Sequence, residues 1–232
     1  MRALLALALC LASCAPTEPG SVEAVAWGRD LVADPTLSSS GFNPFACTTC
    51  HPPTAGSSLL PGAPLEGIAA RQAWWGGTVV RLVDAADFCF RAFMRSPDPL
   101  DPTDPRWRAV DEYLASVSPG PTQATLPFTV VRNVTDVPRG EVARGHAVYT
   151  GACAVCHGAL KTGDGRLRPL VPVLPNVTRE YGKLFPGTSP ALVVIEKVRH
   201  GQSFGVGGTM PPYALERLSD ADLGALLTAL GL

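Results

Sequence analysis

The chain has 232 residues, 19 Lys and Arg against 20 Asp and Glu, 46% hydrophobic residues and only 7% aromatic ones. That length allows one large domain or two small ones, and the formal net charge of −1 disfavours a nucleic-acid-binding face. Its 23 glycines and 23 prolines come to about a fifth of the residues, short of the roughly 25–30% that marks disorder.

The only long apolar stretch is N-terminal. It runs from Ala3 to Ala15 behind Met1-Arg2, which is too short to span a bilayer and reads as an export leader. It ends in Leu11-Ala12-Ser13-Cys14, which resembles the bacterial lipobox. The resemblance implies cleavage after residue 13 and a lipid on Cys14, which anchors the chain to a membrane surface without a spanning helix. The location expected is the periplasmic side of a bacterial envelope. Cys10 follows bulky Leu9 and fits less well. Ala15 lacks the Asp that retains some lipoproteins at the inner membrane.

A first unit is expected over 21–117. Ala26 to Val32 reads as a helix, followed by a Pro- and Ser-bearing insert and then Cys47-Thr48-Thr49-Cys50-His51. C-x-x-C-H is the c-type haem attachment signature. Two thiols add across the haem vinyl groups, and the next residue places its imidazole on the iron. Val79, Leu82, Val83, Ala86, Phe90 and Phe93 have helical spacing. Cys89 lies within this helix and Met94 at its end, five positions apart, or about 140° around an ideal helix. Met94 is the expected distal ligand of the first haem, with Cys89 as the alternative. Asp104 before Pro105 predicts a helix start, with Trp107, Val110, Leu114 and Val117 on one face. Trp74, Trp75, Arg71 and Arg91 are candidates for contact with this haem or its carboxylates.

Residues 118–125, with Ser118-Pro119-Gly120-Pro121, read as a linker. A second unit is expected over 126–232, with 126–133 extended at its start. A helix around Gly140 to Tyr149 leads into Cys153-Ala154-Val155-Cys156-His157. A zinc site built from both Cys pairs would leave the two adjacent histidines unexplained, and the pairs lie 106 positions apart. Met210 stands 53 residues after His157 in a Gly-rich loop stiffened by Pro211 and Pro212. It is the expected distal ligand of the second haem, since its soft thioether favours ferrous iron. Ser219 predicts the start of a last helix with Leu223, Leu226, Leu227 and Leu230 on one face, closed by Gly231. Arg199 is a further candidate for a haem carboxylate, and His146 and His200 are the remaining imidazoles.

The second unit resembles a class I cytochrome c domain along nearly its whole length. The order of the haem motif, Pro175-Asn176-Val177-Thr178, Val198-Arg199-His200-Gly201, Met210-Pro211-Pro212-Tyr213 and a terminal helix is that family's order. The first unit is more distant, with its haem motif, Leu65 to Arg71, and Trp74-Trp75-Gly76-Gly77 as looser matches. The whole resembles a two-domain dihaem cytochrome c. This implies a mainly α fold of two tandem domains, each built around a covalent haem c. Cys89-Phe90-Arg91-Ala92-Phe93-Met94 resembles the stretch bearing the distal cysteine in dihaem thiosulfate dehydrogenases.

The function expected is single-electron transfer between redox proteins, with a membrane dehydrogenase, reductase or terminal oxidase as partner, and no nucleic acid. A sulfur-oxidising enzyme of the thiosulfate dehydrogenase type is the alternative if Cys89 holds the first iron. A dihaem peroxidase would need an open first haem. A cytochrome subunit held in a larger complex is a fourth reading.

Overall fold

The computed structural model describes residues 20–42, 44–176, 180, 183–208 and 210–232. The expected leader, Cys10, Cys14, Val177 and Thr178 lie outside the described residues. The fold is mainly α. Among the described residues there is no strand, only isolated pairings of Arg71 with Gln123, Trp74 with Val79 and Ser203 with Val206. No described helix is long and apolar enough to cross a membrane.

The first lobe contains α1 (Val22–Val32), the short α2 (Cys47–Cys50), α3 (Leu82–Ala92) and α4 (Pro105–Ser116). The second contains α5 (Val142–Val148), a wide turn over Tyr149–Cys153, α6 (Ala154–His157), α7 (Pro190–His200) and α8 (Asp220–Leu230). Side-chain caps fix the long helices. Ser21 accepts the Ala24 N–H, Asp104 that of Arg106, Ser189 that of Leu192 and Ser219 that of Asp222, all at 2.8–3.1 Å. Each satisfies an N-terminal donor that has no partner within the helix. α1 starts four residues earlier than the expected Ala26, because Ser21 caps it there. Val79 pairs with Trp74 instead of entering α3.

Both lobes rest on the same crossing, α1 on α4 and α5 on α8. Each first helix presents a glycine at the contact. A Cβ on Gly28 would stand 1.9 Å from the Ala109 carbonyl oxygen, and one on Gly145 would stand 2.0 Å from that of Ala225. The first core gathers Val32, Leu65, Trp107, Val110 and Leu114; the second gathers Val148, Ile195, Leu223 and Leu227. The lobes also interlock. Leu59 of the first packs against the second core, while Cys156 and Leu167 of the second pack against the first. Arg168 adds a bond from Nη1 to the Gly41 carbonyl at 3.2 Å.

Residues 123–131 form a strap between the lobes. Gln123 donates its N–H to the Ala70 carbonyl at 2.7 Å and accepts that of Gln72 at 3.0 Å. The Phe128 ring meets Trp75 edge-on at 5.2 Å. Thr129 donates its N–H to Glu216 Oε2 at 2.9 Å, and its hydroxyl to Oε1. The Val131 carbonyl lies 2.5 Å from His200 Nε2.

Two outcomes follow. Gly145→Val should lower unfolding stability by about 3 kcal/mol through overpacking against a backbone carbonyl, measured by denaturant titration. The Thr129 bonds hold the exposed Glu216 carboxyl below its ordinary value. A depressed folded value means the clasp is complete above the ordinary carboxylate range and is lost as pH falls through the lowered value. Protection of the Thr129 amide, measured against its intrinsic exchange rate at each pH, should therefore fall on acidification, and in Glu216→Ala, which removes the acceptor of both Thr129 bonds, it should be lost already at neutral pH.

Candidate functional site: two C-x-x-C-H turns around a shared interface

The first motif sits on a single helical turn. Thr49 Oγ1 accepts the Ala46 N–H at 3.0 Å and the Cys47 carbonyl accepts that of His51 at 2.9 Å. This brings Cys47, Cys50 and His51 to one cavity of about 420 Å³, within the range of cofactor sites. His51 Nδ1 lies 2.7 Å from the Ala63 carbonyl. That carbonyl can only accept, so Nδ1 carries the proton and Nε2 is left as the free lone pair. Burial holds the imidazole below its ordinary value; the Ala63 bond opposes this, and the charges of Arg71 and Arg217 add to the lowering. Gly62 lies flat on the ring: a Cβ there would stand 2.4 Å from Nδ1.

The distal wall is α3. Leu82, Ala85, Ala86, Cys89, Phe90 and Phe93 line the cavity at helical spacing, and Met94 lines it too. The 140° separation expected of a continuous helix does not apply, because α3 ends at Ala92. The N–H groups of Phe93 and Met94 both turn back to the Cys89 carbonyl, at 3.1 and 3.0 Å, and Ser96 N–H reaches that of Phe90 at 2.9 Å. The chain thus closes on itself and carries Met94 to the same cavity as Cys89. Met94 is buried in the first core. The Cys89 thiol is pushed up to about 12 by burial, with a further contribution from Cys47.

The cavity fits a flat apolar group that carries carboxylates. Its walls are apolar, with Trp74, Trp75, Trp107 and Val110 among them. Arg71 Nε and Trp74 Nε1 are buried without partners and belong to residues that line it. Unpaired buried donors are costly, and a carboxylate is the acceptor both would take. Arg71 is oriented by its Nη2 bond to the Pro64 carbonyl at 2.9 Å. The other arginines considered are committed elsewhere. Arg91 is paired with Asp87 at 2.6 Å. Arg199 is buried and bonded to the Tyr213 and Leu218 carbonyls and to Asp220.

In the second lobe the turn over Tyr149–Cys153 is wider than an α-helical turn and feeds directly into α6. Such local widening is often found at functional sites. Two buried tyrosines pin it: Tyr149 donates to the Gly158 carbonyl at 2.9 Å and Tyr213 to that of Ala152 at 2.7 Å. His157 Nδ1 lies 2.9 Å from the Pro172 carbonyl, the same arrangement as His51 with Ala63. Met210 is half-buried against the second core, and its N–H donates to the Gly201 carbonyl at 3.0 Å. Half-buried Lys197 donates to the Gly208 carbonyl, and burial lowers its ammonium below the ordinary value. His146 is exposed on α5. His200 has both ring nitrogens engaged, Nδ1 with Glu196 Oε2 at 2.8 Å and Nε2 with Val131, so neither is free for a metal.

The four motif cysteines are half-buried, and desolvation pushes their thiols up, Cys47 and Cys156 to about 11 and Cys153 to about 12. Cys50 is raised further, and Cys156 of the other lobe contributes to that rise. Cys156 packs against the first core, which brings the second motif to the interface with the first lobe. Sequence reasoning did not find Gly62, Ala63, Arg217 or the strap as parts of the first site. Leu126, Pro127 and Phe128 of the strap line its cavity, as do Pro211, Pro212, Glu216 and Arg217 of the second lobe.

A family model described as cytochrome C oxidase, cbb3-type, subunit III matches residues 140–228. The match contains Cys153, Cys156, His157 and Met210, so the second lobe is similar to a cytochrome c domain, and the first lobe lies outside it. Among solved structures, the thiosulfate dehydrogenase (TsdBA) from Marichromatium purpuratum, in its as-isolated form, is 18% identical, with a TM-score of 0.46 over 94% of this chain and 47% of that one. The chain thus spans about half the length of that structure. Comparison with curated proteins gives no match.

Gly62→Ala should push the His51 ring off the Ala63 carbonyl. The expected result is less haem recovered per chain than in the unaltered protein, counted by the pyridine haemochrome spectrum. Full loading would show that the ring tolerates the methyl group.

Proposed function

We propose that the chain is a dihaem c-type cytochrome that passes single electrons between redox proteins of a bacterial envelope. The observation that carries this reading is the repeated arrangement of two half-buried thiols and an imidazole whose Nδ1 is committed to a backbone carbonyl. Haem c supplies reversible one-electron chemistry at iron. Cys47 and Cys50 would hold one haem and Cys153 and Cys156 the other, with His51 and His157 presenting Nε2 to the irons. Arg71 and Trp74 would receive the carboxylates of the first, which removes the cost of their unpaired donors. The apolar walls keep water from the site, which limits reorganisation when charge changes. Met210 would ligate the second iron and raise its potential, and Met94 the first. In each turnover a reduced partner loses one electron and an oxidised partner gains one, with no bond made or broken.

The leader and a lipid on Cys14 would hold the protein at the membrane surface. There a membrane dehydrogenase, reductase or terminal oxidase is the fitting partner. The acidic haem carboxylates make a basic docking face the natural complement, so that association weakens with salt.

One observation favours a second reading. Cys89 lies on the cavity face of α3, next to the small residues Ala85 and Ala86, which leave room for close approach. A thiolate from Cys89 on the first iron would suit a sulfur-oxidising enzyme of the thiosulfate dehydrogenase type. The EPR spectrum of the oxidised mature protein separates the two. Two low-spin His/Met signals are expected for the carrier; one His/thiolate signal would replace it with the enzyme. Met210→Ala should lower the potential of one haem and Met94→Ala that of the other. If Cys89→Ala moves the first haem instead, the carrier reading is overturned.

A further inference from the structure

The clamp between the lobes carries an inference that goes beyond electron carriage and rests on the two-haem reading. Arg217 belongs to the second lobe, seven residues after Met210. Its Nε donates to the Leu60 carbonyl at 3.0 Å, and its Nη2 to those of Leu60 and Ser58, both at 2.9 Å. These carbonyls belong to the loop of the first lobe that fixes His51. A few residues further on, Ala63 supplies the carbonyl that holds Nδ1, and Gly62 makes room for the ring. Arg217 also lines the same cavity as His51. A guanidinium is a rigid planar fork with a permanent charge. Three bonds to two carbonyls therefore fix the loop as well as tether it.

We infer that Arg217 is a positioning residue for the first haem, setting the orientation of His51 from the second lobe through the 58–63 loop and adding a fixed positive charge to the cavity wall. The ferrous form carries one positive charge less than the ferric form, so a nearby cation favours it. The segment that bears Met210 thereby also governs the first site.

The test uses the mature holoprotein with its Arg217→Met and Arg217→Lys variants. Haem is counted per chain first. Each haem is then titrated potentiometrically and followed by EPR, the second being identified by its change in Met210→Ala. In Arg217→Met the first haem alone should move to lower potential, by about tenfold in its reduction equilibrium (about 59 mV for one electron), with altered g-values. Arg217→Lys keeps the charge without the fork. It should recover most of the potential and retain the altered g-values. An unchanged first haem in both variants overturns the inference, even if both unfold more readily. Should Arg217→Met fail to load haem, the g-values of Arg217→Lys decide in the same way. Fewer than two haems in the unaltered protein would bring down the two-haem reading itself, and this inference with it.

Discussion

The commitment of each motif histidine to a backbone carbonyl is the constraint around which both lobes are arranged. An imidazole that gives its Nδ1 proton to Ala63 or Pro172 has one lone pair left, and its direction is fixed. To hold that direction, the chain must bring a carbonyl 12 or 15 residues downstream back onto the ring. In the first lobe this forces a glycine at 62, because no side chain fits between loop and ring. In the second it requires the turn beneath the motif to be pinned by Tyr149 and Tyr213. The helical crossings with Gly28 and Gly145 then supply the stiff base on which the turns rest.

The low aromatic content finds a physical place in this scheme. A lobe of about a hundred residues buries too little surface to be generous with stability. Much of the aromatic side-chain mass that exists is spent on the first cavity, where Trp74, Trp75, Phe90, Phe93, Trp107 and Phe128 form its walls. Trp75, Phe88, Phe93 and Phe128 contact one another through ring edges and tilted faces. The protein supplies a shell with apolar walls, and the space it encloses fits a large flat apolar group.

The sequence announced what short-range chemistry decides. Ser219 and Gly231 bound α8 as expected, Asp104 and Pro105 start α4, and both C-x-x-C-H motifs lie on helical turns. Fixed spacing makes such features visible without any partner. The distal side of the first site was only half legible, since the backward turn that brings Met94 to the cavity depends on hydrogen bonds at the end of α3 and not on periodicity. Gly62, Ala63 and Arg217 were not legible at all. A backbone carbonyl has no residue type that signals it, and the partners of Arg217 lie 157 and 159 positions away. The strap carried a signal of extended chain, but nothing in it named the Trp75 and Glu216 contacts that hold it down.

The exchange of Leu59 for Cys156 and Leu167 across the interface has a consequence for how such a chain can be divided and how it folds. Each lobe lends the other a piece of its interior, so neither is a finished module. Cut between them, each would keep an apolar notch shaped for its neighbour. A lobe that shares its interior in this way could not be moved alone into another chain without exposing that notch. During synthesis the first half must also wait, incompletely closed, until the second emerges to complete it.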